Sequence, residues 1–167
     1  MKKIILTAFA ALMALAVFTS CEYNNVDYSQ IEEKSYTGDT LIDFLGEIGT
    51  KNSDGNVEIT PDGWNTSSNL KNPIKSGETL LAFSVELQVP DGYQGTLQFM
   101  ADWNKTCNIA VSSQNKDFTK IDVDLSKITA DLKIVQCFIQ DTKTTGWPAT
   151  TDQKIVVKSI YIKQKIN

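Results

Sequence analysis

The chain has 167 residues, with 16 basic groups, every one a lysine, against 20 acidic ones, and it contains no histidine. Ser-His-Asp and Cys-His nucleophilic sites and the usual histidine-bearing zinc sites are therefore excluded, and the commonest general base is missing. An acidic, arginine-free chain is also a poor match for nucleic acid or other phosphate-rich partners, because bidentate phosphate recognition favours guanidinium.

At the N-terminus, Met1-Lys2-Lys3 gives a positive start, Ile4 to Phe18 is an apolar run broken only by Thr7, and Thr19-Ser20-Cys21 closes it with small residues. That layout predicts a secretory signal peptide over residues 1–20, and the run falls short of the ~20 apolar residues of a membrane-spanning helix. Phe18-Thr19-Ser20-Cys21 resembles a lipobox of the looser kind found in Bacteroidetes lipoproteins, with Phe18 where Leu is usual. The resemblance implies that Cys21 carries a diacylglycerol thioether and becomes the mature N-terminus. The expectation is an exported chain, lipid-anchored to the bacterial envelope at the outer membrane. Removing two of the 16 lysines with the signal leaves 14 positive against 20 negative charges, a net of −6. Residues 21–38 are polar and without sustained periodicity, and read as the lipidated N-terminus and a flexible tether.

From Asp39 the pattern changes to short apolar runs between turn residues, predicting one domain over residues 39–167. Leu41 to Ile48 is the best helical stretch and fits a strand equally well; Asn56 to Thr60 is a weak strand. In Leu81 to Val89 every odd position is apolar, which predicts a half-buried strand with Leu81, Phe83, Val85, Leu87 and Val89 facing the core. Pro90-Asp91-Gly92 reads as a turn. Leu97, Phe99, Ala101 and Trp103 then alternate, followed by Cys107, Ile109 and Val111. Pairing Trp103 with Cys107, Ala101 with Ile109 and Phe99 with Val111 keeps both apolar sets on one side and sends Trp103 into the core.

Ile121, Val123 and Leu125 alternate with Asp122 and Asp124. Lys133 to Gln140 is apolar on both faces, as in a central strand or one lining a groove, and Ile155 to Ile166 closes the chain. Seven to nine short strands predict an all-β fold, a two-sheet antiparallel β-sandwich. The jelly-roll arrangement is preferred, since the immunoglobulin Cys-Trp-Cys spacing is missing.

Beyond Cys21 there are two cysteines, Cys107 and Cys137, and an exported compartment permits a disulfide between them. Two separate buried thiols are the alternative. Loops carry function in sandwiches, so the loop aromatics stand out. Trp64 lies in a long polar loop with Asp62, Asn65 and Asn69. Trp147 lies between Thr144 and Thr150, led into by Gln140 and Asp141. Tyr93 lies between Gly92 and Gly95 and is a weaker candidate. A flat indole against the C–H face of a pyranose releases water from a large apolar area, while neighbouring amides bond the hydroxyls. The same indoles could instead plug an end of the sandwich.

Gly63-Trp64 after a short strand, the run Thr79 to Leu87 and the closing strand Ile155 to Ile162 resemble the galactose-binding-like jelly-roll carbohydrate-binding modules of bacteria. The resemblance implies a non-catalytic glycan ligand at Trp64, Trp147, Asn65, Asp62, Asn69, Gln140 and Tyr93. It also implies a structural calcium near the chain ends, for which Asp39, Asp43 and Glu47 are the available oxygens, although no calcium-loop motif is present. No other cofactor is expected. A polar sheet face carrying Gln98, Gln136 or Gln140 is an alternative place for the ligand. An envelope protein–protein interaction module and a small glycoside hydrolase are the alternative functions. For the latter, Glu58, Glu78, Glu86, Asp102 and Asp124 are available, but the sequence pairs none of them.

Overall fold

The computed structural model describes residues 30–61, 66–91, 94–139 and 154–166. Among these, the chain forms β1 (Ile31–Tyr36), α1 (Gly38–Phe44), β2 (Thr50–Lys51), β3 (Val57–Ile59), β4 (Ser67–Ile74), β5 (Leu80–Gln88), β6 (Gln94–Asp102), β7 (Lys105–Ser112), β8 (Thr119–Asp122), β9 (Leu132–Ile139) and β10 (Ile155–Lys165). The fold is all-β, two antiparallel sheets face to face. β10 is the spine of the first. β5 and then β8 lie along one of its edges, while β3, with β2 outside it, and β1 share the other. The second sheet has the order β4-β9-β6-β7.

Period-two patterning sets the core. Phe83, Val85, Leu87 and Val89 point inward from β5, as do Leu97 and Phe99 from β6, Cys107, Ile109 and Val111 from β7, and Val135 and Cys137 from β9. The sheets meet where Phe83 and Phe99 pack edge to face, ring centroids 5.2 Å apart at 83°. Two bulges in the β10–β5 ladder reset the alternation. One lets Ile155, Val157, Ile160 and Ile162 all face inward although their spacing changes parity. The other gives the core place expected of Leu81 to Leu80, leaving Leu81 half-buried.

The flank of the sandwich beside β1, β3 and β4 is closed by α1, which buries Leu41 and Phe44, with Leu45 following. Phe44 stacks on Tyr36 at 4.1 Å. Helix and strand fit this stretch equally in sequence; Thr37 and Thr40 decide it. The Thr40 hydroxyl accepts from the Thr37 N–H at 3.0 Å and donates to the Thr37 carbonyl at 2.7 Å, closing the first turn. At the far end of α1, Gly46 and Glu47 take left-handed φ of 68° and 63° to turn the chain back toward β2.

Three expectations are corrected. Residues 31–36, read as tether, are a strand: β1 pairs with β10 from Ile31↔Lys165 to Tyr36↔Ile160, so the sandwich begins at Ile31. Its polar outer residues hide it from a hydropathy reading, since half of an edge strand faces water. The β6–β7 register is Leu97↔Ile109 and Phe99↔Cys107, four positions tighter than predicted, with the same faces inward. The turn is then Trp103-Asn104, and Trp103 is 73% exposed. Asp102 fixes this, its carboxylate accepting the Asn104 and Lys105 amides at 2.9 and 3.1 Å and ending the strand one residue before the indole.

The disulfide is also absent. Cys107 pairs with Phe99 and Cys137 with Leu97, so the two cysteines lie on opposite sides of β6 and stay separate buried thiols. Two inter-strand spacings put their backbones roughly 10 Å apart, beyond the ~7 Å that a disulfide spans. Burial pushes the Cys107 thiol above its usual range. We expect the denaturant midpoint of the mature chain to be the same with and without reductant, and thiol titration to become rapid only on unfolding. A midpoint lowered by reductant would contradict this register.

Ion pairs cover the outer face of the β10 sheet. Lys158 donates to Glu86 at 2.8 Å, Lys154 to Glu58 at 2.6 Å, and Lys163 pairs with Glu33 at 2.5 Å. The Lys154 ammonium and then the Asn52 amide hold the Glu58 carboxyl below the usual carboxylate range; Lys158 does the same for Glu86, and the Ser126 hydroxyl and amide for Asp124. A carboxyl lowered by folding contributes stability above its unfolded pKa and loses it as pH falls through the folded one. The unfolding midpoint should therefore be flat near neutrality and fall with pH below about 4.5, the usual carboxylate range. Because these groups are partly exposed, 0.5 M salt should flatten the slope.

Candidate functional site

The strand registers sort the connections onto two ends. Ile155 pairs with Ile59 and Val156 with Gln88, so β3 and β5 finish where β10 starts. In the other sheet Gly95 pairs with Ile139 and with Val111, so β9 and β7 finish where β6 starts, and β4 starts nearby with Ser67 opposite Gln136. The connections after β3, β5, β7 and β9 all leave from and return to this one end. Thr66 accepts the Cys137 amide at 3.0 Å, and Asn115 accepts the Val89 amide at 2.9 Å, which ties the borders of the four connections together in two pairs.

Three of those four connections carry the loop aromatics of the sequence. Trp64, with Asp62 and Asn65, Tyr93, and Trp147, with Gln140, lie outside the described residues; the residues bracketing each loop are described and sit side by side at this end. Asn69 is corrected from loop to strand: it is the third residue of β4, exposed and paired with Ile134, about 7 Å back from the end at the usual rise. The described floor is a shallow open groove formed by Gln88, Val89, Pro90, Asp91, Lys116, Lys154 and Val156. Its chemistry is an apolar strip flanked by ammonium and carboxylate groups, a surface that can accept hydroxyls and present small apolar patches to a ring.

Other positions are less suited. Gln98 and Gln136 face each other across β6 and β9 on the side away from the core, but they are only 8% and 0% exposed, and Gln98 donates to Asn108 at 2.6 Å. Among the described residues that face offers no open row of amides. Asp39 and Asp43 each meet a different lysine, Lys51 and Lys71, and Glu47 sits in the turn beyond α1. The three do not converge, and among the described residues no cluster of three or more potential metal ligands occurs. Glu58 and Glu86 are committed to lysines, and Asp102 and Asp124 cap their own turns. Every described carboxyl whose pKa departs from the ordinary value is lowered, whereas a glycosidic general acid requires the opposite.

The exposed indole that sequence reasoning missed is Trp103, at the other end. Its signal was Asp102 followed by Asn104, two turn formers bracketing a residue that hydropathy alternation alone assigns to the core.

No protein-family model matches the sequence, and no curated protein matches it. Among solved structures, the chain is similar to the capsular polysaccharide assembling protein CapF from Staphylococcus aureus at 15% identity and a TM-score of 0.23. The likeness covers 66% of this chain and 28% of that one.

Proposed function

We propose that this chain is a non-catalytic glycan-binding lipoprotein, exported and lipid-anchored through Cys21 to the bacterial envelope, with a jelly-roll sandwich that holds polysaccharide at its loop end. The observation that carries the reading is the convergence of the connections bearing Trp64, Tyr93 and Trp147 on one end of the sandwich. Indoles scattered over different ends would plug separate openings; three aromatic-bearing connections whose borders share one rim suit a ligand several rings long. The lowered carboxyls favour holding a sugar over cleaving it.

Affinity electrophoresis of the mature chain through gels containing plant, fungal and host polysaccharides tests the proposal, with Trp64→Ala and Trp147→Ala alongside. Trp103→Ala is the control, because that indole is at the opposite end. Retardation by one polymer, lost in either loop variant and kept in the control, is the expected result. If no polymer slows the wild type and a protein partner is recovered from detergent extracts, the interaction-module reading replaces this one. Release of shortened glycan would make it a hydrolase.

A further inference from the structure

The end opposite the loops has its own character. β6 ends and β7 begins there at the Trp103 turn; β10 finishes there, and β1 starts there with Ile31 opposite Lys165. Three large apolar side chains are exposed among the described residues, and two of them, Trp103 at 73% and Ile166 at 48%, are on this end. Beside them in sequence are Lys105 and Lys165, both exposed. Among the described residues these two lysines form no ion pair, as is also true of Lys116, Lys120, Lys127 and Lys133.

An exposed indole on a tight turn, with ammonium groups on long stems at the same end, is the combination that settles at a bilayer interface. The ring sits at headgroup depth, and the lysine stems follow apolar surface while their heads stay in water. The chain enters the sandwich on this same end: the backbone N–H of Ile166 donates to the Gln30 carbonyl at 2.6 Å. Eight residues lie between Cys21 and Gln30, a reach of at most roughly 30 Å when fully extended. A nine-residue strand is itself about 30 Å long, so a lipid on Cys21 keeps this end within easy reach of the membrane, whereas the loop end lies at the limit of the tether.

We infer that the Trp103–Ile166 end is a membrane-facing surface, with the Trp103 indole, Ile166, Lys105 and Lys165 seated in the lipid headgroup layer and the opposite end of the strands farthest from it. The inference rests on the lipid-anchor part of the proposed function and is independent of which glycan the loops take. The second contact removes swivel about the tether, so the loop end is presented outward instead of sampling the bilayer.

The test uses the full-length protein purified from membranes and reconstituted into phosphatidylcholine vesicles, with intact mass measured first. In the Trp64→Phe/Trp147→Phe variant Trp103 is the remaining indole, and lipids brominated near the headgroup should quench it and shift its emission to the blue relative to detergent. In the unaltered protein, amine acylation of Lys105 and Lys165 should slow several-fold on moving from detergent to vesicles, while Lys116 at the loop end keeps its rate. This second readout stands even where the double variant folds poorly. A mass without lipid on Cys21 overturns the anchoring reading, and the orientation falls with it. A lipidated protein whose Trp103 is unquenched and whose Lys105 and Lys165 react as fast as Lys116 overturns the orientation alone. Protection in native envelopes that is missing in pure vesicles would assign this end to a protein partner and overturn it as well.

Discussion

Gly46→Ala is expected to destabilise the domain by roughly 3–5 kcal/mol, the top of the range for a single substitution, read as a large fall in the urea midpoint at unchanged slope. Two physical effects coincide at this residue. Its φ of +68° is one that L side chains rarely adopt, which by itself costs on the order of 1–2 kcal/mol. In addition, a Cβ built here would lie 2.1 Å from the Asn69 carbonyl oxygen and 2.4 Å from the Ser68 hydroxyl. Ser68 donates that hydroxyl to the Gly46 carbonyl, so the turn after α1 is pressed against β4 by its own hydrogen bond. Moving β4 away to admit a methyl would disturb the β4–β9 pairing at Ser68↔Val135 and Asn69↔Ile134. The next residue gives the opposite sign. Glu47 has φ of +63° with a side chain present, and Glu47→Gly should stabilise by about 1 kcal/mol. A Gly46→Ala midpoint within experimental error of wild type would mean that the turn does not approach β4 as described.

Phe99→Ala should cost about 3–5 kcal/mol through lost burial and the cavity left behind. Phe99 is fully buried on the inner face of β6, between β7 and β9, and its ring meets Phe83 of the opposite sheet edge to face. The cavity would open at the junction of the two sheets, where neither can close over it without shifting the other. A double-mutant cycle with Phe83→Leu isolates the ring–ring contribution, expected at about 0.5–1.5 kcal/mol. Strict additivity in that cycle would show that the two sheets do not pack through these rings. Both predictions concern folding, and both should leave any glycan selectivity intact in the fraction that stays folded.

Much of the sandwich was legible because strand alternation is a direct imprint of a two-faced sheet. β5, β6 and β7 are visible as apolar positions at period two, and β9 and β10 as apolar runs, the double-sided pattern of Lys133 to Gln140 fitting a central strand or one lining a groove. What escaped were features in which backbone chemistry overrides hydropathy. β1 is polar on its solvent side and pairs with the last strand, a contact about 130 residues away in sequence that no local pattern reports. β4 begins with Ser67-Ser68-Asn69, which reads as loop until β9 is known to lie beside it. Trp103 extends the β6 alternation perfectly, yet Asp102 bonds the amides ahead of it and stops the strand. The thiols of Cys107 and Cys137 suited a bridge on compartment chemistry alone; only the interposed strand β6 forbids it. For the candidate site, the loop aromatics were readable as exceptions to the periodicity. Their common rim was not, because it follows from pairing order.

The way β1 joins the spine has a mechanical consequence. Its six residues run antiparallel to the last part of β10, with Ile31 at the end opposite the loops. A domain tethered there and gripping a polymer at the far rim would be loaded along the strand axis. Such a pull sets β1 sliding against β10, so that its ladder of hydrogen bonds must yield together instead of opening one at a time from an end. On the anchoring proposed above, β1 is thereby placed to resist tension in shear, a geometry suited to a surface protein dragged by its own cargo.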